Sequence, residues 1–129
     1  MTGGESVRSV PMVMVRQVSA ATNWYCWILE ATSDHDGEEF NRIMAGDQPL
    51  LMLHHWTEGE HGLRAPPPTG RLGDGVALCF SVADLDQALV RAGAVQAEVV
   101  VLPWRNPRAG WREATLRDPD GYTVMLLEA

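Results

Sequence analysis

The chain has 129 residues, of which 46% are apolar and 21% charged, a length and balance that suit one globular domain and exclude disordered and fibrous classes. Its 17 acidic and 10 basic side chains give a net charge of −7, which disfavours a nucleic-acid partner. Nowhere do 18 consecutive apolar residues offer a membrane span, so no membrane partner is expected.

Residues 1–6 are small and polar, and order is expected to begin near Val7. The run 10–15 is continuously apolar and rich in β-branched residues, which predicts a buried strand with Pro11 at its start. Ser19 is placed to cap a helix whose stripe is Ala21, Trp24, Tyr25, Ile28 and Leu29, the i, i+3, i+4, i+7, i+8 spacing of one buried face. Trp24 lies on that stripe and reads as core; Trp27 lies off it and reads as exposed or as a subunit contact.

The cluster 33–37 is a turn, and its Asp34, His35 and Asp36 point in different directions, so it reads as a solvated turn rather than a metal cluster. Strands are expected over 40–44 and 49–56. The segment 58–75, with its charges, three consecutive prolines and glycines, reads as a surface linker. Beyond it, 76–82 predicts a strand, Asp84 a helix cap with Gln87 completing a capping box, and Gly93 the helix end. Strands follow over 98–102, 113–117 and 123–127. Pro119 and Gly121 supply the dihedral angles of a tight turn joining the last two. Cys26 and Cys79 sit in apolar runs away from any CxxC spacing and read as buried free thiols. With no signal-peptide pattern at the start, a reducing, cytoplasmic location is expected.

Both halves therefore read β-α-β-β-β, an α+β domain over 1–129 with module one at about 7–57, a linker at about 58–74 and module two at about 75–128. Val15-Arg16-Gln17-Val18 with Trp24-Tyr25, then Phe80-Ser81-Val82-Ala83-Asp84-Leu85, then Asp118-Pro119-Asp120-Gly121 resemble, in order, three motifs of the vicinal oxygen chelate superfamily. That superfamily comprises the glyoxalase, extradiol dioxygenase and bleomycin-resistance proteins. The resemblance implies paired βαβββ modules whose curved mixed sheets surround a cavity, usually in a homodimer.

Metal-using members place four His, Gln or Glu ligands on the cavity face of four strands. Carried onto this chain by the alternation of its strands, the slots fall at Val10, Met52, Ala77 and Met125. None offers oxygen or nitrogen, and a thioether is a poor donor to Zn²⁺, Ni²⁺, Mn²⁺ or Fe²⁺, so neither a metal site nor a cofactor is expected. His54 stands two residues beyond Met52 on the same face, whereas His55 points the other way. His54 is thus a polar group able to hydrogen-bond or titrate in an apolar cavity.

The expected ligand-binding residues are Met12, Met14, Phe40, Met52, His54, Trp56, Cys79 and Met125, an adaptable wall, together with Trp104, Trp111 and Arg112. Pro103-Trp104 resembles a Pro-Trp of the bleomycin-resistance branch, which implies aromatic stacking on a planar antibiotic in a groove between subunits. No Gly-x-Ser-x-Gly, P-loop or Rossmann fingerprint is present, and no catalytic residue is assigned. The sequence therefore points to a metal-free, homodimeric protein that sequesters a planar or aromatic small molecule. The alternatives are a metal-independent isomerase or lyase using His54 as general base near Glu113 or Arg112, and a dimeric interaction module with a filled core.

Overall fold

A computed structural model describes residues 6–56, 60–62, 72–73 and 75–129. Residues 1–5 and most of the 58–74 linker lie outside these, so the expectations about them do too. The first module contains β1 (Met12–Val15), α1 (Val18–Leu29), β2 (Thr32–Ser33), β3 (Phe40–Ala45) and β4 (Gln48–His55). The second contains β5 (Ala77–Ser81), α2 (Leu85–Ala94), β6 (Glu98–Asn106), β7 (Trp111–Arg117) and β8 (Thr123–Glu128). Their sheets have the same plan, β1-β4-β3-β2 and β5-β8-β7-β6, each with one parallel pair and two antiparallel pairs. Two open mixed sheets with two helices make an α+β fold.

In each sheet the apolar residues of alternate positions face a helix. Val13, Val15, Ile43, Leu51 and Leu53 do so in the first sheet, and Leu78, Phe80, Ala114, Leu116, Val124 and Leu126 in the second. They merge with Ala21, Trp24, Tyr25 and Ile28 of α1 and Leu85, Ala88 and Ala92 of α2 into one core. Burying each Leu- or Ile-sized side chain contributes roughly 1.5–3 kcal/mol.

Several boundaries differ from the sequence reading for local reasons. Ser19 does not cap α1; Gln17 occupies that position in an extended conformation, with no side-chain cap bond. The helix starts at Val18, which is 1% exposed, so burial of an apolar side chain fixes the start. The β-α-β-β-β order of the first half had no segment assigned to the strand after its helix; that strand is β2, whose two exposed polar residues carry no hydrophobic pattern and are held by pairing to Ile43 and Met44. Asp84 does cap α2, accepting the Gln87 backbone N–H at 3.1 Å, while the Leu85 N–H goes to Glu128 Oε2 at 2.7 Å. Gly93 lies inside α2 rather than ending it; Gln96 takes the left-handed conformation at φ 56°. Strand β6 continues through Pro103, Trp104 and Arg105 to Asn106, beyond the strand expected over 98–102. Pro103 fits because β6 is the sheet's outer strand.

The modules are joined at each helix. At the start of α1, the Arg16 backbone N–H donates to Asp120 Oδ1 at 2.9 Å and its guanidinium adds an ion pair at 3.2 Å. Tyr122 Oη donates to the Met14 carbonyl at 2.8 Å. At the other end, Trp27 Nε1 donates to the Arg91 carbonyl at 3.1 Å and Arg91 Nε to that of Ile28 at 3.0 Å. Trp27 is 52% exposed, as its off-stripe position predicts. Among the described residues no helix is long and apolar enough to cross a membrane.

Candidate ligand-binding site

The strand period of two leaves a second set of side chains on the face of each sheet turned away from the helices. In the first sheet, register aligns Met12, Met52 and Arg42 in one row, and Met14, His54 and Phe40 in the next. The Phe40 and His54 rings lie 6.3 Å apart, and the His61 ring approaches His54 at 5.0 Å. His54 is buried, and its Nδ1 lies 2.7 Å from the His55 carbonyl. A carbonyl only accepts, so Nδ1 carries a proton.

In the second sheet, Cys79, Met125, Thr115 and Val101 form one row, and Ser81, Leu127, Glu113 and Trp104 the next. Cys79 is exposed, not buried as its apolar run suggested, because it points away from α2 while its neighbours Leu78 and Phe80 point toward it. Its thiol is pushed up from the usual range by partial burial and then by the negative charge of Glu113. Cys26 is half-buried, and burial pushes its thiol up as well.

Glu113 is the polar centre of this face, and it is missing from the ligand set read from the sequence. It is 8% exposed, and its Oε1 accepts both Asn106 Nδ2 at 2.8 Å and Trp111 Nε1 at 2.9 Å. Asn106 and Trp111 are paired across the β6–β7 hairpin, whose turn ends at Gly110 with φ 79°. The spacing of Trp111 and Glu113, two apart on one strand, was the available signal for a shared face.

The structure thus groups Met12, Met14, Phe40, Met52 and His54 on the first sheet, and Cys79, Met125, Trp104 and Trp111 around Glu113 on the second. Arg112 points the other way, with its guanidinium between Asp86 at 3.0 Å and Glu128 at 3.4 Å. Trp56 borders a cavity of about 350 Å³ between β1 and β5, together with Met12, Met14, Val76, Leu78 and Tyr122. Its buried indole Nε1 has no hydrogen-bond partner among the described residues. A groove of about 630 Å³ lies on the outside, bordered by Trp24, Trp27 and Val95, and contains none of the expected ligand residues.

The family model described as glyoxalase/bleomycin resistance protein/dioxygenase superfamily matches residues 9–126. The chain belongs to this superfamily. A sequence comparison with curated proteins finds no match. Similar solved structures include a glyoxalase/bleomycin resistance protein/dioxygenase family enzyme from Burkholderia phytofirmans PsJN, with TM-score 0.75 and 16% identity over 93% of this chain and 96% of that one. Another is lactoylglutathione lyase from Agrobacterium tumefaciens, with TM-score 0.66 and 19% identity over 96% of this chain and 94% of that one. A third is the fosfomycin resistance protein FosX from Mesorhizobium loti, with TM-score 0.68 and 14% identity over 97% and 92%. At these identities the likeness establishes the shared fold.

The superfamily's metal does not fit the residues at its slots. Met52 lies beside Met12, and Met125 beside Cys79 and Thr115, on the helix-free faces; Ala77 has no donor at all. Among the described residues no group of three or more His, Cys, Asp or Glu side chains is arranged to hold a metal ion. The donor chemistry of Val10, Met52, Ala77 and Met125 offers no hard or borderline cation a coordination shell.

Proposed function

We propose that the protein binds a planar or aromatic small molecule, such as an antibiotic, without a metal and without transforming it, as a resistance-type sequestering protein. The observation that carries this reading is the lining of the helix-free faces: methionines stand at two of the four metal slots, and the Trp104 ring, 43% exposed, stands beside Glu113 on the second sheet. Thioethers and an exposed indole suit stacking and dispersion, which need no catalytic group. The ligand-binding set is Met12, Met14, Phe40, Met52, His54, Trp56, Cys79, Trp104, Trp111 and Met125. Arg112, expected from the sequence to join this set, is left out of it because its guanidinium is spent on Asp86 and Glu128 on the opposite face.

The working form is a homodimer in the cytoplasm, where Cys26 and Cys79 stay reduced. An exposed apolar edge on β6, comprising Val99, Val100, Val101, Leu102 and Trp104, supports self-association. The test is calorimetric titration with a panel of planar aromatic compounds, combined with elemental analysis and mass spectrometry of the incubated ligand. Saturable binding to metal-free protein with the ligand recovered unchanged supports sequestration. Product formation abolished by His54→Ala replaces it with turnover on the same face.

A further inference from the structure

A carboxylate whose donors all bind one oxygen is held in place by them and presents the other oxygen for a further bond. Glu113 is 8% exposed and makes no ion pair among the described residues, and its Oε2 is not one of the buried atoms left without a partner, so that oxygen is open on the face. Both of its donors, Asn106 Nδ2 and Trp111 Nε1, go to Oε1, and neither hydrogen bond uses Oε2. The nearby cations are engaged elsewhere: Arg112 is bound by Asp86 and Glu128 on the other face, and Arg105 Nη1 donates to the Gly110 carbonyl. The two donors fix the rotamer of the carboxylate on the face that also carries Cys79, Leu127 and Trp104.

We propose that Glu113 reads the charge of the ligand: Oε2 accepts a hydrogen bond from a protonated amine or amidinium group carried by the aromatic compound, while Trp104 stacks on its ring. This rests on the binding reading above and narrows it to cationic aromatics. The chemistry is favourable on three counts. A charge-assisted N⁺–H···O⁻ bond is stronger than a neutral one. The indole face of Trp104 attracts a cation as well as an aromatic plane. The net charge of −7 concentrates cations near the surface before they dock. Asn106 and Trp111 are positioning residues, since they act on the ligand only through Glu113.

The test uses a matched pair of probes at pH 7, 9-aminoacridine as a planar cation and acridine as its neutral counterpart, titrated by calorimetry into the full-length protein. The wild type is expected to prefer the cation by roughly tenfold or more, with the preference shrinking as salt rises. Glu113→Gln keeps an oxygen acceptor for both donors and is expected to bring the ratio of the two affinities close to one. Asp47→Asn makes the same charge change on an exposed turn and is expected to leave the ratio as in the wild type. Near-UV circular dichroism confirms that each variant is folded. Equal binding of both probes by the wild type overturns the charge-reading role and leaves the binding reading standing. Loss of the preference in Asp47→Asn assigns it to overall charge and overturns the role as well. Binding of neither probe removes both.

Discussion

Tyr25 in α1 donates its hydroxyl proton to Asp118 Oδ2 at 2.6 Å, a buried bond that ties the helix of the first module to the β7–β8 turn of the second. The other oxygen of Asp118 accepts the backbone N–H groups of Asp120 and Tyr122, each at 2.9 Å, so one carboxyl both shapes the turn and holds the module junction. Tyr25→Phe leaves Oδ2 without its donor and is expected to cost about 1–3 kcal/mol in urea unfolding. Asp118→Ala, which strands three donors, is expected to cost more than Tyr25→Phe. An Asp118→Ala protein as stable as the wild type would mean that the junction rests on apolar packing alone.

Burial raises the Asp118 carboxyl above its ordinary value of 3.8, and this outweighs the lowering by Tyr25 and the two backbone donors. Because the folded-state value lies above the unfolded one, the folded protein binds this proton more readily. The contribution of Asp118 to stability is therefore greatest below the ordinary carboxylate range and falls as pH rises through it to the folded value. Other carboxyls act in the opposite sense, as at Asp34, which the hydrogen bond from Arg42 holds below its ordinary value. The measurement is thus the difference in unfolding free energy between wild type and Asp118→Asn from pH 3 to pH 7. That difference is expected to fall with rising pH, and a rising difference would show that the three hydrogen bonds outweigh burial.

Gly73 has φ 70°, and a Cβ there would stand 2.5 Å from Cδ1 of Tyr122. Tyr122 is itself anchored to the Met14 carbonyl, so its ring has little freedom to yield. Gly73→Ala combines backbone strain with this clash and is expected to destabilise by about 1–3 kcal/mol. Gly46→Ala is the comparison, since its φ is 61° but nothing lies within 4 Å of the added atom, which leaves only the strain.

Apart from β2, the elements of the paired modules were legible because Trp24, Tyr25, Ile28, Leu85, Ala88 and Ala92 mark helix faces, and the Pro-Asp-Gly turn marks the final hairpin. Boundaries failed where tertiary contact overrides local preference: Val18 sets the start of α1 by burial, and pairing to β7 carries β6 through Pro103. Strand alternation made the two faces of the candidate site legible, and the register puts Met52, His54, Cys79 and Met125 on the faces turned away from the helices. Glu113 entered only as a neighbour of His54 in the enzyme alternative and not as a ligand residue, because a charged residue in a half-buried strand gives no local sign of its partners. One of its hydrogen bonds comes from Asn106, seven residues away across a hairpin and outside the strands expected over 98–102 and 113–117.

Self-association is expected to use β6, which leaves Leu102 75% exposed beside Val100 and Val101. Light scattering at micromolar concentration should give about twice the 14.2 kDa chain mass. Leu102→Glu puts a charge in the middle of this apolar edge and is expected to shift the protein toward monomer with little change in its circular dichroism. A wild-type monomer removes the dimer from the proposed function. A dimer unaffected by Leu102→Glu moves the interface to another surface.

Trp104 and Trp24 separate ligand recognition from folding. Trp24 is 8% exposed and packs edge-on to Tyr25 at 4.8 Å between ring centres, so Trp24→Ala opens a cavity in the core and is expected to cost roughly 3–5 kcal/mol of stability. Trp104 is 43% exposed on an outer strand, so Trp104→Ala should change stability by less than about 1 kcal/mol. Its effect belongs in binding, where losing a stacked indole is expected to weaken a planar aromatic ligand by about 1–3 kcal/mol and to reduce ligand-induced quenching of tryptophan fluorescence. Trp111→Phe is a third case: the ring remains, but Glu113 loses the 2.9 Å donor from Nε1, so affinity for a cationic probe should fall more than affinity for a neutral one. If Trp104→Ala unfolds the protein as Trp24→Ala does, and the surviving folded fraction binds as tightly as wild type, then the indole is a packing group and the second sheet loses its stacking surface.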